Sequence, residues 1–182
     1  MQNPRIPITR HPTSIAEFTI RHARPGDSSL VLEFIRHLAD YEKLTHEVEA
    51  TEADLDHLLF GERPYAEVIF GDWEDRPVGF ALFFHNVSTF VGRPGLYLED
   101  IFVHPDARGR SFGKAMMAHL ARLAEQRRCG RFEWAVLDWN TPSIGFYKGL
   151  GARPMDEWTV FRLTGESLSD LATSLHPDPA AD

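Results

Sequence analysis

Apolar positions Leu30, Val31, Phe34, Ile35, Leu38 and Tyr41 recur at i, i+3 and i+4 spacing, which predicts one amphipathic helix. Asp27 or Ser28 stands where its N-cap belongs, after the turn Ala23-Arg24-Pro25-Gly26-Asp27 that ends a short strand over Phe18–Arg21. Thr51, with Asp54 three residues on, opens a second helix through Leu58, Leu59 and Phe60, and Gly61 stops it. The period then changes to two. Ala66–Phe70 and Pro77–Val87 read as strands separated by the turn-rich Gly71–Asp75, and the second is apolar on both faces, as a central strand is. Leu96–Val103 is a further strand. It runs into a loop and then a helix whose buried face is Phe112, Met116, Leu120 and Leu123. Phe132–Leu137 predicts a strand, Asn140-Thr141-Pro142 starts a short helix carrying Ile144, Tyr147 and Leu150, and Thr159–Leu163 predicts a last strand. The order β-α-α-β-β-β-α-β-α-β is mixed α/β.

The chain has 182 residues, enough for one domain with ragged ends. The reading is a flexible arm over 1–17, a domain over 18–165, and a C-terminal helix or tail over 166–182. No apolar run is long enough to span a bilayer and no signal-peptide core precedes the domain, so no membrane partner and a cytoplasmic location are expected. The single cysteine, Cys129, allows no internal disulfide and fits a reducing compartment. The net charge of −8 disfavours nucleic acid, since the sequence shows no basic stripe; it suits a cationic substrate, and equally plain solubility. The histidines show no metal-ligand spacing, so no metal is expected.

The chemistry concentrates in Arg108-Gly109-Arg110-Ser111-Phe112-Gly113-Lys114, between a strand and a helix. A helix start leaves unpaired N–H groups and a partial positive charge; glycines let a ligand approach, and Arg108 and Arg110 add charge. Together these suit a pyrophosphate. A Walker loop is excluded, because only Arg110, Ser111 and Phe112 separate the glycines and Ala115 follows Lys114. A dinucleotide fingerprint fails at Ser111. A glycine-bearing helix start with solvated arginines remains the bland alternative.

This loop resembles the [Gln/Arg]-x-x-Gly-x-[Gly/Ala] signature of the GNAT acetyltransferases, with Ser111 where the signature's first glycine usually stands. Leu96-Tyr97-Leu98-Glu99-Asp100-Ile101-Phe102-Val103, Ala135–Asn140 and Phe146–Ala152 are similar to the spermidine/spermine and thialysine N-acetyltransferase branch. The resemblance implies a GNAT fold: a mixed, mostly antiparallel sheet flanked by helices, with a parallel strand pair splayed by a bulge near Phe102. It implies acetyl-CoA as co-substrate, held by the backbone of Ile101, Phe102 and Val103, by the loop from Arg108 to Lys114, and by Asn140, Ser143 and Tyr147. It implies Tyr147 as the acid that protonates the departing thiolate, and Glu99 as the group facing the amine. Tyr41, Glu42, Glu133, Ala135 and Trp158 would line the acceptor, and a homodimer is expected.

Several alternatives stay open on sequence. Tyr147 also reads as a core tyrosine, and Glu99 as half of an internal salt bridge. Strand alternation puts Glu99 on one face with Tyr97, Ile101 and Val103, opposite Asp100. Ser88-Thr89-Phe90 stands where the polyamine branch carries an acidic contact, which favours a short amine. The rival acceptors are a protein or a xenobiotic amine, and the rival to an enzyme is a non-catalytic acyl-CoA-binding module.

Overall fold

A computed structural model describes residues 17–174; the expected N-terminal arm and the tail beyond lie outside the described residues, apart from Glu17. Among the described residues the order is β1 (Phe18–His22), α1 (Ser28–Glu42), α2 (Glu52–Phe60), β2 (Glu67–Trp73), β3 (Arg76–Ser88), β4 (Arg93–Val103), α3 (Phe112–Gln126), β5 (Phe132–Trp134), α4 (Thr141–Gly149) and α5 (Gly165–Thr173). The strands form one sheet in the order β1-β2-β3-β4-β5. Every neighbouring pair is antiparallel except β4 and β5, which are parallel. The chain divides into two compact units after Ala135.

In the first unit, α1 and α2 cover one face of the sheet. Val31, Leu32 and Phe34 of α1, with Leu55 and Leu59 of α2, pack in one core with Phe70, Phe80, Leu82 and Phe102. The Thr51–Asp54 capping box predicted for α2 is present in both directions, so two orphan amides at its start are satisfied. On the other face, α3 buries Phe112, Met116, Leu120 and Ala124, one residue per turn. Its first turn is pinned by aromatic packing: the Phe112 ring stacks 4.2 Å from Phe18 and lies 5.6 Å from Trp73.

The sequence reading is corrected at four places. The stretch before Asp75 is strand rather than break, because β2 runs to Trp73 and turns through Glu74 and Asp75, both left-handed. The strand expected over Phe132–Leu137 stops at Trp134. Thr159–Leu163 forms no strand; Val160 and Phe161 are exposed, so their β propensity finds no ladder among the described residues. The bulge lies not near Phe102 but at Glu99, the extra residue where the β3–β4 register passes from Leu82↔Asp100 to Phe83↔Leu98.

The second unit carries α4 and α5. Asn140 is buried and caps α4, its side-chain oxygen accepting from the Ser143 N–H at 3.3 Å, with Pro142 in the first turn.

Candidate active site

The first unit sets two features side by side on β4. The β4–β5 ladder holds only for Leu96↔Phe132, Tyr97↔Glu133 and Leu98↔Trp134. The Glu99 bulge follows at once, and among the described residues nothing pairs with β4 on that side from Ile101 to Val103. An unpaired strand edge offers alternating N–H and C=O groups to an extended ligand. Beyond β4, the chain reaches α3 through a loop in which Gly109 (φ 77°) and Ser111 (φ 66°) are both left-handed. The first helical bond runs from the Ala115 N–H to the Ser111 carbonyl at 2.9 Å, so the amides of Phe112, Gly113 and Lys114 precede the ladder. Ser111 makes no side-chain cap, which leaves these amides for an anion. Edge and helix start together fit a long ligand with an extended amide-bearing arm and a pyrophosphate.

The two arginines of the loop each lie over aromatic rings. The Arg108 Nε donates to the Val103 carbonyl at 2.9 Å, and its guanidinium lies 4.8 Å over the Tyr41 ring and 5.4 Å over Phe102. The Arg110 guanidinium lies 4.3 Å over Trp73. The loop thus offers an anion backbone amides and the helix dipole, with Arg108, Arg110 and Lys114 all exposed.

The bulge also changes which carboxylate faces which side. Tyr97 pairs with Phe84, Asp100 with Leu82 and Phe102 with Phe80, so these three share the face covered by α1. Ile101 and Val103 pair with Ala81 and Gly79 on the opposite face. The expected grouping of Tyr97 and Glu99 with Ile101 and Val103 fails because the inserted residue breaks the alternation, which puts Asp100 on the face of Tyr97; Glu99 itself is exposed. Asp100 is the desolvated carboxyl. Burial first, then Glu99 and Glu42, push it up to about 7. Burial likewise raises Glu42, at the end of α1 beside Tyr41. Glu99 and Glu42 thus lie within electrostatic reach of Asp100 where β4 leaves β5, a concentration of negative charge that favours a cation. A register-based reading of bulges would have found Asp100; alternation alone does not.

The other predicted residues divide. Glu133 is engaged by Arg131 at 2.8 Å and by the Asn86 amide at 3.0 Å, so its charge is already matched. Ala135 ends the first unit. In the second unit, Asn140 and Ser143 form the cap of α4, Tyr147 is half-buried one turn later with its ring 5.3 Å from Phe146, and Trp158 is exposed. His104 follows the last residue of β4. Its ring packs 4.8 Å from His37 and 5.1 Å from Phe34, and burial followed by His37 holds it below the ordinary imidazole range.

Residues 32–152 match the model of the acetyltransferase (GNAT) family. The chain belongs to that family. Among curated proteins it is 39% identical over 169 residues to the thialysine N-epsilon-acetyltransferase of Sus scrofa, covering 87% of this chain and 99% of that one. It is 32% identical to the L-ornithine N5-acetyltransferase NATA1 of Arabidopsis thaliana, covering 84% and 86%. Among solved structures, an integron cassette protein from the mobile metagenome of V. cholerae superposes with a TM-score of 0.73 at 27% identity, covering 86% and 98%. The GNAT fold and the enzyme class are thereby those expected: this is an acetyl-transferring enzyme.

Proposed function

We propose that the enzyme moves an acetyl group from acetyl-CoA to a side-chain primary amine of a short cationic acceptor, a lysine-like amino acid or a diamine, by direct attack in a ternary complex. The observation that carries this is the carboxyl cluster of Asp100, Glu99 and Glu42 beside the open edge of β4. The two relatives named above are called after thialysine and ornithine, both amino acids with a side-chain amine, which supports the lysine-like choice.

Acetyl-CoA would lie along Ile101–Val103, with its pyrophosphate on the amides that open α3. Bound there, it supplies the activated thioester. The carboxyl cluster binds the acceptor as an ammonium. Asp100 then takes the proton, directly or through water, so that the neutral amine attacks the acetyl carbonyl. The backbone N–H near Val103 polarises that carbonyl. As the C–N bond forms and the C–S bond breaks, Tyr147, the acid implied by the family resemblance, donates its phenolic proton to the thiolate. The reading includes a homodimer. It includes a cytoplasmic setting, supported by the lone Cys129; no helix among the described residues is long and apolar enough to cross a membrane. It requires no metal, and no group of three potential ligands occurs among the described residues.

The test is thiol release from acetyl-CoA across thialysine, lysine, ornithine, putrescine, spermidine, an aminoglycoside and a histone-tail peptide. Turnover is expected with the lysine-like acids or the diamine. Turnover confined to the peptide or the aminoglycoside would overturn the acceptor class, and turnover with none of them the small-amine reading.

A further inference from the structure

Arg108 occupies the signature position of the cofactor loop, yet its side chain is built into the acceptor side. Its Nε donates to the Val103 carbonyl at 2.9 Å, which fixes the last peptide of β4. Its guanidinium plane lies 4.8 Å over Tyr41, in the last turn of α1, and 5.4 Å over Phe102 on the sheet face below. One planar cation thus ties the edge strand, the loop and the end of α1 together. Tyr41 adjoins Glu42, whose charge acts on Asp100.

From this geometry we propose that Arg108 is a positioning residue for the acceptor wall, holding the Tyr41 ring and the Val103 carbonyl, and not a ligand of the cofactor's phosphates. The inference rests on the acetyl-transfer reading above. The amides opening α3 bind an anion without a guanidinium, so the loop has no need of this charge for that purpose. A flat guanidinium can stack on an aromatic ring while donating sideways from Nε; the compact ammonium of lysine cannot do both. Because the same residue stands in the cradle loop, a cofactor seated on that loop is felt at Tyr41 through contacts that are already formed.

The experiment compares wild type with Arg108→Gln and Arg108→Lys. Arg108 is exposed, so neither change opens the core. The measurements are the Kd of CoA by calorimetry, the amine KM and kcat at saturating acetyl-CoA, and the fluorine spectrum of enzyme carrying 3-fluorotyrosine. The chain has 4 tyrosines, and the Tyr41 signal is identified by its loss in Tyr41→Phe. For Arg108→Gln we expect an amine KM raised about two- to fivefold with CoA Kd changed less than about twofold, the scale of a lost stacking contact. Lysine does not restore it. The Tyr41 fluorine signal moves on CoA addition in wild type and stays still in both variants. The inference is overturned if CoA binding weakens in Arg108→Gln and lysine restores it, which makes Arg108 a phosphate ligand. It is equally overturned if both constants hold and only the melting temperature falls. Should wild type acetylate no amine, the functional reading fails by itself, while the CoA Kd and the fluorine signal still decide the role of Arg108.

Discussion

At the scale of single residues, Asp100 and Ser111 each sit where the surroundings oppose their ordinary state. Asp100 is a carboxyl raised to about 7 by burial, Glu99 and Glu42, so its ionised form is disfavoured in the folded chain. Its folded pKa lies above the unfolded value of about 3.9, so the destabilisation is absent below about pH 4, grows between pH 4 and 7, and is complete above. Asp100→Asn should therefore be the more stable protein at pH 8, by up to about 4 kcal/mol in chemical denaturation, with the difference vanishing at pH 4. The same variant should lose about a hundredfold or more in kcat/KM and also the ascending limb near pH 7 of the wild-type profile. A variant that keeps that limb would place the base elsewhere. Ser111 carries a different tension: a side chain in the left-handed region at φ 66°. The conformation is present before any ligand binds, so its relief belongs to the fold and not to the affinity. Ser111→Gly should raise stability by about 0.5–1 kcal/mol, left-handed strain relieved less the added freedom of the unfolded glycine, with CoA affinity unchanged. Tighter CoA binding without a stability gain would show that the loop rearranges on binding.

At the scale of elements, the position of the open edge depends on how closely β3, β4 and α3 approach one another. A Cβ on Gly79 would lie 3.0 Å from the Phe102 carbonyl oxygen and 3.1 Å from the Met116 sulfur. Gly79→Ala must push the last residues of β4 or the second turn of α3, and both border the proposed cofactor site. The expected outcome is a loss of about 1–3 kcal/mol in stability together with a raised KM for acetyl-CoA, read against an unchanged amine KM. An equal rise in both constants would point to general loosening. Which elements form was legible in the chain: the α1 stripe, the Thr51–Asp54 box, the apolar β3 and the loop before α3 all announce themselves by periodicity or by capping chemistry. What was not legible is the register. A bulge is one extra residue in a strand that otherwise alternates, and nothing in Leu96–Val103 marks Glu99 as that residue, so Asp100 was placed opposite Tyr97 when the two share the face covered by α1. The roles of Arg108 and Arg110 were hidden for a related reason: sequence gives their charge, but the aromatic rings they cover come from α1 and β2, far away along the chain. Thr159–Leu163 shows the converse, a strand-like pattern whose ladder partner the described residues do not supply.

At the scale of the whole molecule, one charge distribution must receive two ligands of opposite sign. The chain carries a net charge of −8, and the two carboxyls that burial raises, Asp100 and Glu42, stand at the proposed acceptor site. The long-range field therefore draws an ammonium in and pushes the polyanionic cofactor away. On the proposed reading the cofactor is held by short-range backbone amides, which act only on contact. Salt screens the first kind of interaction far more than the second, since exposed charges more than about 10 Å apart are largely screened at 0.1 M. The two substrates should accordingly respond to ionic strength with opposite signs. Between about 0.05 M and 0.5 M salt, kcat/KM for the cationic amine should fall by roughly fivefold, while the association rate of acetyl-CoA, followed by stopped-flow fluorescence, rises or stays level. A neutral acceptor analogue should show no such fall. If the association of acetyl-CoA instead slows steeply with salt, side-chain cations and not amides govern its capture, and the backbone account of the cradle is wrong.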